Sequence, residues 1–159
     1  MFISVEVVGV RIEMPSNQPI VLLKEIEGSK FLPIWVGSHE ATSIAFVQQG
    51  LTPPRPLTHD LIGEIFASTG VVLTAVQITE MKDGIFYAEL ILRNEEGPLE
   101  PISCRPSDAI ALALREKANI VVDLELLESV GIEIPAEQSE DEVEAFREFL
   151  DQINPEDFA

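Results

Sequence analysis

Three short polar segments stand out in a chain that is otherwise rich in apolar residues: Ser38–Glu40, Thr58–Asp60 and Arg105–Asp108. Each follows a predicted strand or a proline-rich loop, and each lies where a helix is expected to begin. The first turn of a helix carries backbone N–H groups without intrahelical partners, and it favours anions. The three segments are therefore the first candidates for a binding or catalytic site.

The residue types in these segments suit the hydrolysis of a phosphodiester. His59 would act as a general base, and Arg105 would hold the phosphate and neutralise developing charge. Asp60, Asp108 and Glu40 would bind Mg²⁺ or Mn²⁺, since these ions prefer oxygen ligands. The predicted catalytic set is His59, Asp60, Arg105 and Asp108. This chemistry requires all three segments to meet in space.

Two further residues are candidates for substrate binding. Arg55 lies in the proline-rich loop that precedes the second segment, and Ser107 lies beside Asp108. Each candidate also has a structural interpretation. Arg55 and Arg105 suit local salt bridges, and the acidic residues of the three segments suit the positive end of a helix dipole. Ser38 and Thr58 are predicted N-caps.

The elements that must position these residues are predicted from apolar periodicity. Strands are expected at 3–13, 20–26, 31–36, 71–80, 85–93, 99–104 and 120–122. Asp83-Gly84 predicts a tight hairpin between two of them. Helices are expected from Ser38 to Gly50, from Thr58 to Gly70, after Pro106, and over 123–130. Groups of strands with interspersed helices indicate an α+β fold, with a mixed, mainly antiparallel sheet and helices packed on it.

The chain divides into a body, residues 1–134, and an acidic extension, residues 135–159. The extension reads as a polar linker followed by an amphipathic helix over 140–153 and a frayed end. Its apolar positions are Val143, Phe146, Leu150 and Ile153, which form one narrow seam. This seam is expected to bury against the body, a second subunit or a protein partner.

The composition restricts the function. The 159 residues carry a formal net charge of −18, which disfavours tight, non-specific binding of nucleic acid. Cys104 is the single cysteine, so an internal disulfide is excluded. No apolar run is long enough for a membrane span, and the N-terminal segment reads as a strand. A cytoplasmic location and no membrane contact are expected.

Four stretches, read in order, resemble the bifunctional nuclease (BFN) domain family. They are FLPIWVGSHEATSIAFVQQG, RPLTHDLIGEIF, GIFYAELIL and CRPSDAIALALREKANIVV. The resemblance covers residues 1–131, and the acidic helical tail is similar to that of actinobacterial members. It implies an α+β domain that forms homo-oligomers, dimers in particular, with nuclease activity on RNA and DNA. The polar positions that match the family pattern are Glu40, His59, Asp60, Arg105, Ser107 and Asp108.

Two functions compete at this point. The first is a metal-dependent nuclease, for which a single-stranded nucleic acid or a small phosphate ligand suits the acidic body better than a duplex. The second is a non-catalytic oligomeric binding or regulatory protein for a small anion or a protein partner. The acidic C-terminal helix, residues 140–153, favours a protein partner.

Overall fold

The computed structural model describes residues 1–133. The predicted linker and amphipathic helix of the C-terminal extension lie outside the described residues. Within the described part, strands β1 to β9 and helices α1 to α4 alternate in groups. The strands are β1 Phe2–Glu13, β2 Gln18–Glu25, β3 Lys30–Trp35, β4 Val72–Lys82, β5 Ile85–Asn94, β6 Gly97–Pro98, β7 Ile102–Cys104, β8 Asn119–Asp123 and β9 Ile132–Glu133. The helices are α1 Ser38–Gln48, α2 Thr58–Thr69, α3 Pro106–Glu116 and α4 Leu124–Val130.

The described strands form one mixed sheet in the order β6-β5-β4-β8-β1-β2-β3-β9, with β7 also paired to β5. The pairing of β4 with β8 is parallel, and every other described pair is antiparallel. The α+β prediction with a mainly antiparallel sheet is confirmed. Between β4 and β5, Asp83 and Gly84 both take positive φ angles of 55° and 78°, as the hairpin prediction requires.

The core lies between the sheet and the helices, and α3 is its centre. Residues 109–113 of α3 are almost fully buried, as the uniformly apolar sequence predicts. This helix contacts α1, α2, β4 and β5. The first turn of α3 is thereby fixed beside both neighbouring helices, which is the arrangement that the candidate site requires.

Two predictions about local structure are wrong. Ser38 and Thr58 are not N-caps: they are the first residues of their helices, and Gly37 and Leu57 take the extended cap conformation without a side-chain cap. The predicted strand over 99–104 is shortened to β7 at its end, and the short strand β6 lies just before the predicted span. Pro98 and Pro101 lack the N–H that a continuous ladder needs, so pairing is interrupted between them.

Within residues 1–133, no helix is both long enough and apolar enough to cross a membrane.

Candidate active site

The structure brings together one side of three helices around a histidine. Glu40 comes from the first turn of α1, and Ser43 lies one turn further along that helix. His59 comes from the first turn of α2. Asp108 lies in the first turn of α3, where Arg105 is the N-cap residue. The three polar segments of the sequence therefore converge, although they are separated by up to 65 residues along the chain.

His59 is the buried centre of this group, with 7% of its surface exposed. Its Nδ1 atom lies 2.6 Å from Oγ of Ser43, and its Nε2 atom lies 2.8 Å from Oδ1 of Asp108. Both ring nitrogens are thus hydrogen-bonded, one to a hydroxyl and one to a carboxylate. The ring is held in one orientation by partners on two other helices.

The partners of His59 favour one neutral tautomer. Asp108 is an acceptor, so Nε2 carries the hydrogen and donates it. Ser43 is 3% exposed, and a buried hydroxyl hydrogen without an acceptor is costly. The Ser43 hydroxyl therefore donates to Nδ1. The result is a chain of hydrogen bonds from Ser43 through His59 to Asp108.

Arg105 joins this chain at its exposed end. Its Nε donates to Oδ2 of Asp108 at 2.8 Å, and its Nη2 donates to Oε1 of Glu40 at 2.7 Å. Burial alone would raise the pKa of Asp108, but the hydrogen bonds from Arg105 and His59 outweigh it and hold that pKa below its usual value of 3.8. The hydrogen bond to Asp108 is also the main reason that the pKa of Arg105 is raised. Both groups are therefore charged at neutral pH.

A cleft of about 420 Å³ lies over this network. The side chain of Arg105 is 64% exposed at the cleft, whereas that of Glu40 is only 14% exposed. A small anion or a phosphate group entering the cleft would meet an arginine that keeps its Nη1 group without a partner among the described residues. The lining residues are His39, Glu40, Thr42, Ser43, Leu57, Thr58, His59, Arg105 and Asp108.

Asp60 is adjacent to His59 in sequence but belongs to a different network. Its Oδ1 accepts from Nε of Arg115 at 2.7 Å, and its Oδ2 accepts from the backbone N–H of Leu57 at 2.9 Å. Burial by itself would raise the pKa of Asp60, but these hydrogen bonds outweigh it and lower that pKa. Arg115 also donates to the Ser43 carbonyl at 3.1 Å. Asp60 does not line the cleft, so this pair ties α2 and α1 to α3.

Arg55, Ser107 and Cys104 do not line this cleft. Arg55 is exposed in the loop before α2 and makes no hydrogen bond or ion pair with another described residue. Ser107 is buried and lines a neighbouring cleft instead. Cys104 is half-buried, and burial, followed by the charges of Asp108 and Glu89, raises the pKa of its thiol to about 11. That thiol is protonated at neutral pH and is a poor nucleophile.

The donors present do not fit a metal ion in this arrangement. No group of three or more His, Cys, Asp or Glu side chains within residues 1–133 is placed to hold one. Glu40 and Asp108 share Arg105, and Asp60 is engaged by Arg115. A cation at Glu40 and Asp108 would have to displace an arginine. The Mg²⁺ or Mn²⁺ site stays a prediction, and no step of the chemistry below depends on it.

Ser43 and Arg115 belong to these hydrogen-bond networks, and neither was identified from the sequence. Ser43 follows Glu40 by three residues, so both lie on one face of α1. That spacing could have indicated that Ser43 lies beside Glu40 at the site. A serine within a helix of small residues is, however, usually interpreted as a packing residue. Arg115 lies in the last turn of α3, where a basic residue suits the helix dipole. Its contact with Asp60 depends on how α2 and α3 cross.

The fold and the site together define an α+β domain with a buried histidine–carboxylate pair and an exposed arginine, an arrangement suited to acid–base chemistry on an anionic substrate. Comparison with known families is more specific: residues 21–135 match the bifunctional nuclease domain. This chain belongs to the bifunctional nuclease domain family. The match begins within β2, so β1 lies outside it, although β1 pairs with both β2 and β8 in the same sheet.

Individual relatives include both bacterial and plant proteins. An uncharacterized protein of Mycobacterium tuberculosis is 48% identical over 164 residues, which cover 98% of this chain and 97% of the relative. Bifunctional nuclease 1 of Oryza sativa subsp. japonica is 30% identical over 121 residues, which cover 74% of this chain. That alignment spans 36% of the rice protein. Bifunctional nuclease 2 of the same plant is 30% identical over 127 residues, covering 78% of this chain and 39% of the relative.

Proposed function

We propose that this protein is a nuclease that hydrolyses phosphodiester bonds in single-stranded RNA or DNA. The observation that carries the proposal is the Ser43–His59–Asp108 hydrogen-bond chain, which opens onto a cleft that also presents Arg105. Membership of the bifunctional nuclease family and the names of the rice relatives support the same reaction class. The substrate would be held by its phosphate, and the first proton transfer would take place at the oxygen of the attacking water.

Arg105 supplies the phosphate contact. Its pairing with Asp108 and Glu40 uses Nε and one N–H of Nη2, so within residues 1–133 Nη1 has no partner and can bind a phosphate oxygen. A planar guanidinium binds phosphate through parallel hydrogen bonds, and it stabilises the charge that develops during the transfer. The two carboxylates hold the guanidinium at the cleft, because it cannot leave without breaking both ion pairs.

His59 is the final proton acceptor, and Ser43 passes the proton on to it. A water that attacks the phosphorus would give its proton to Oγ of Ser43 while the hydroxyl proton of Ser43 moves to Nδ1 of His59. The imidazolium that results is stabilised by Asp108, which is already ionised and hydrogen-bonded to Nε2. The departing oxygen leaves on the side opposite the attacking water and would take its proton from solvent, and the imidazolium would then return its own proton to solvent through Ser43. In this relay the serine passes a proton on and forms no covalent bond to the substrate.

The test is cleavage of labelled single-stranded RNA and DNA by the purified full chain, with Mg²⁺, with Mn²⁺ and with EDTA. We expect His59→Ala to lower the cleavage rate by at least about 100-fold, since positioned acid–base catalysis contributes on that order. Arg105→Ala should be similarly impaired. Arg93→Ala is the matched control, because Arg93 is exposed on β5 away from the cleft. Equal cleavage by wild type and His59→Ala would refute the proposal.

One observation favours a second candidate, the binding of a small anion or a protein partner without catalysis. Both nitrogens of His59 and both carboxylates beside Arg105 are already satisfied within the protein. Such a network also serves to hold three helices together. Binding of a single-stranded oligonucleotide or of inorganic phosphate that depends on Arg105, without any cleavage, would assign the chain to this class.

A further inference from the structure

A second cleft of about 340 Å³ lies next to the one that contains His59, and the two share Arg105. Its walls come from the start of β2, from β3 and the residues that follow it, from the β4–β5 hairpin and from the first turn of α3. The lining residues are Gln18, Ile34, Trp35, Val36, Gly37, Gly84, Ile85, Phe86, Arg105, Pro106 and Ser107. A molecule that contacts Arg105 from one cleft therefore lies within reach of the other.

Trp35 is the most unusual residue of this second cleft. It is the one tryptophan of the sequence, and 51% of its surface is exposed. Its indole Nε1 donates a 2.9 Å hydrogen bond to Oε2 of Glu13, so the ring is tethered in place while its surface stays open to solvent. Ile85 in the same cleft is 59% exposed. A fixed, exposed aromatic ring is the surface on which nucleobases stack in single-strand-binding proteins.

We propose that this second cleft binds a nucleobase of the single-stranded substrate, stacked on Trp35, while a phosphate of the same strand contacts Arg105. The inference rests on the proposed function, because it takes the phosphate position from that site. The Gln18 amide and the Ser107 hydroxyl line the same cleft and offer hydrogen bonds to the edge of a base. The occupant is an unpaired base, since a base in a duplex has no free face for the indole.

The charge of the protein gives a physical reason for such a site. With a net charge of −18, the chain gains no long-range attraction for nucleic acid. Glu40 and Asp108 further offset the one arginine that the clefts share. Affinity for a single strand must then come from uncharged contacts. Stacking of a base on an aromatic ring supplies them, because it does not depend on charge and tolerates any sequence.

The single tryptophan makes the proposal directly measurable. A short single-stranded oligodeoxynucleotide is titrated into the full-length His59→Ala variant, whose expected loss of cleavage keeps the oligonucleotide intact, and the tryptophan emission is recorded. We expect saturable quenching by the oligonucleotide and none by an abasic oligomer of equal length and charge. Quenching by neither, or equally by both, would overturn the base-binding cleft.

Substitutions of Trp35 provide the second arm, measured by fluorescence anisotropy of the labelled oligonucleotide. Trp35→Ala should weaken binding by about 5- to 150-fold, the range of one lost base stack, whereas Trp35→Phe keeps a stacking ring and should bind within a few-fold of the parent. Tyr87→Ala is the matched control, because Tyr87 is an exposed aromatic on β5 that does not line the cleft. Unchanged binding by Trp35→Ala would contradict the proposal.

The two proposals fail in distinguishable ways. Base-dependent quenching with no cleavage by the wild type would leave the second cleft standing and refute the nuclease. Cleavage by the wild type without quenching would support the nuclease and overturn the base-binding cleft. An emission that shifts with protein concentration and ignores the oligonucleotide would assign this face to a second copy of the chain, and it would overturn the base-binding inference.

Discussion

At the residue scale, the site depends on how one histidine is held. His59 contacts Ser43 on one side and Asp108 on the other, at 2.6 and 2.8 Å. Each contact comes from a different helix, and together the two partners favour the Nε2–H tautomer. The sequence pair His59-Asp60 looked like a unit, but the carboxylate that contacts the imidazole is Asp108, 49 residues away.

The role of Ser43 is tested by Ser43→Ala. We expect cleavage to fall by about tenfold or more, because the relay from water to Nδ1 of His59 is removed. Ser43→Thr keeps the hydroxyl and should recover most of the activity. Imidazole ¹⁵N NMR should show the Nε2–H tautomer of His59 in the wild type and a loss of that preference in Ser43→Ala. Full activity and an unchanged tautomer in Ser43→Ala would show that the hydroxyl only fills space between the helices and has no part in proton transfer.

At the element scale, the Asp60–Arg115 pair connects the start of α2 to the end of α3. The Arg115 side chain is 8% exposed and that of Asp60 is 30% exposed, so the pair is largely shielded from water. Arg115 also donates to the Ala111 and Ser43 carbonyls, at 3.0 and 3.1 Å. Asp60 is therefore expected to act on helix packing and only indirectly on catalysis.

Asp60→Asn should lower the free energy of unfolding by about 2–3 kcal/mol at pH 7, since it leaves a buried guanidinium without its counter-charge. Because the folded-state pKa of Asp60 is lowered below 3.8, its contribution is present above that pH and is lost as the pH falls through the folded-state value. Urea unfolding between pH 2 and 7 should thus show the difference between wild type and variant shrinking in acid.

Glu64→Gln is the matched control for that measurement, because it removes one negative charge from an exposed position of the same helix. It should change the unfolding free energy by less than about 0.5 kcal/mol. An Asp60→Asn effect no larger than that of the control, or one that persists undiminished at pH 2, would show that the ion pair is not what holds α2 to α3.

At the scale of the whole molecule, the acidic charge should set the salt dependence of the nuclease. Nucleases that bind through many phosphate contacts lose activity as salt rises. In the proposed mode of binding, one arginine would contact the substrate while the net negative charge of the protein opposes its approach, so screening should favour association. We expect kcat/KM for a single-stranded substrate to stay level or rise between 20 and 150 mM salt. A fall of more than about tenfold would indicate several phosphate contacts.

The acidic extension should contribute to that repulsion. Residues 135–159 carry nine acids and one base, whereas residues 1–134 carry nineteen acids and nine bases. Removing the extension should raise kcat/KM at low salt a few-fold, and the gain should vanish at high salt. Sedimentation of the full and the shortened chain tests, in the same experiment, the homodimer that the family resemblance implies. Unchanged kcat/KM with an unchanged oligomer would assign the extension to a protein partner.

The sequence by itself determined most of the elements and the candidate residues. The α+β architecture was predicted from apolar periodicity, the Asp83-Gly84 turn and the glycine at the end of α2. Each of these signals acts over a few residues, so it can be interpreted without the tertiary structure. The same local reasoning identified His59, Arg105 and Asp108 as chemically useful. The same reasoning placed the N-caps of α1 and α2 one residue too late along the chain. Serine and threonine are common N-cap residues, but neither Ser38 nor Thr58 caps its helix.

Only the tertiary structure decided which of these residues act together. A contact between His59 and Asp108 depends on the packing of α3 against α2, and that packing is set by the buried face of α3 and the sheet beneath it. No local spacing encodes such a distance. For the same reason the sequence could not separate Asp60 from His59, find Ser43 behind the imidazole, or show that Trp35 lies in a cleft that ends at Arg105.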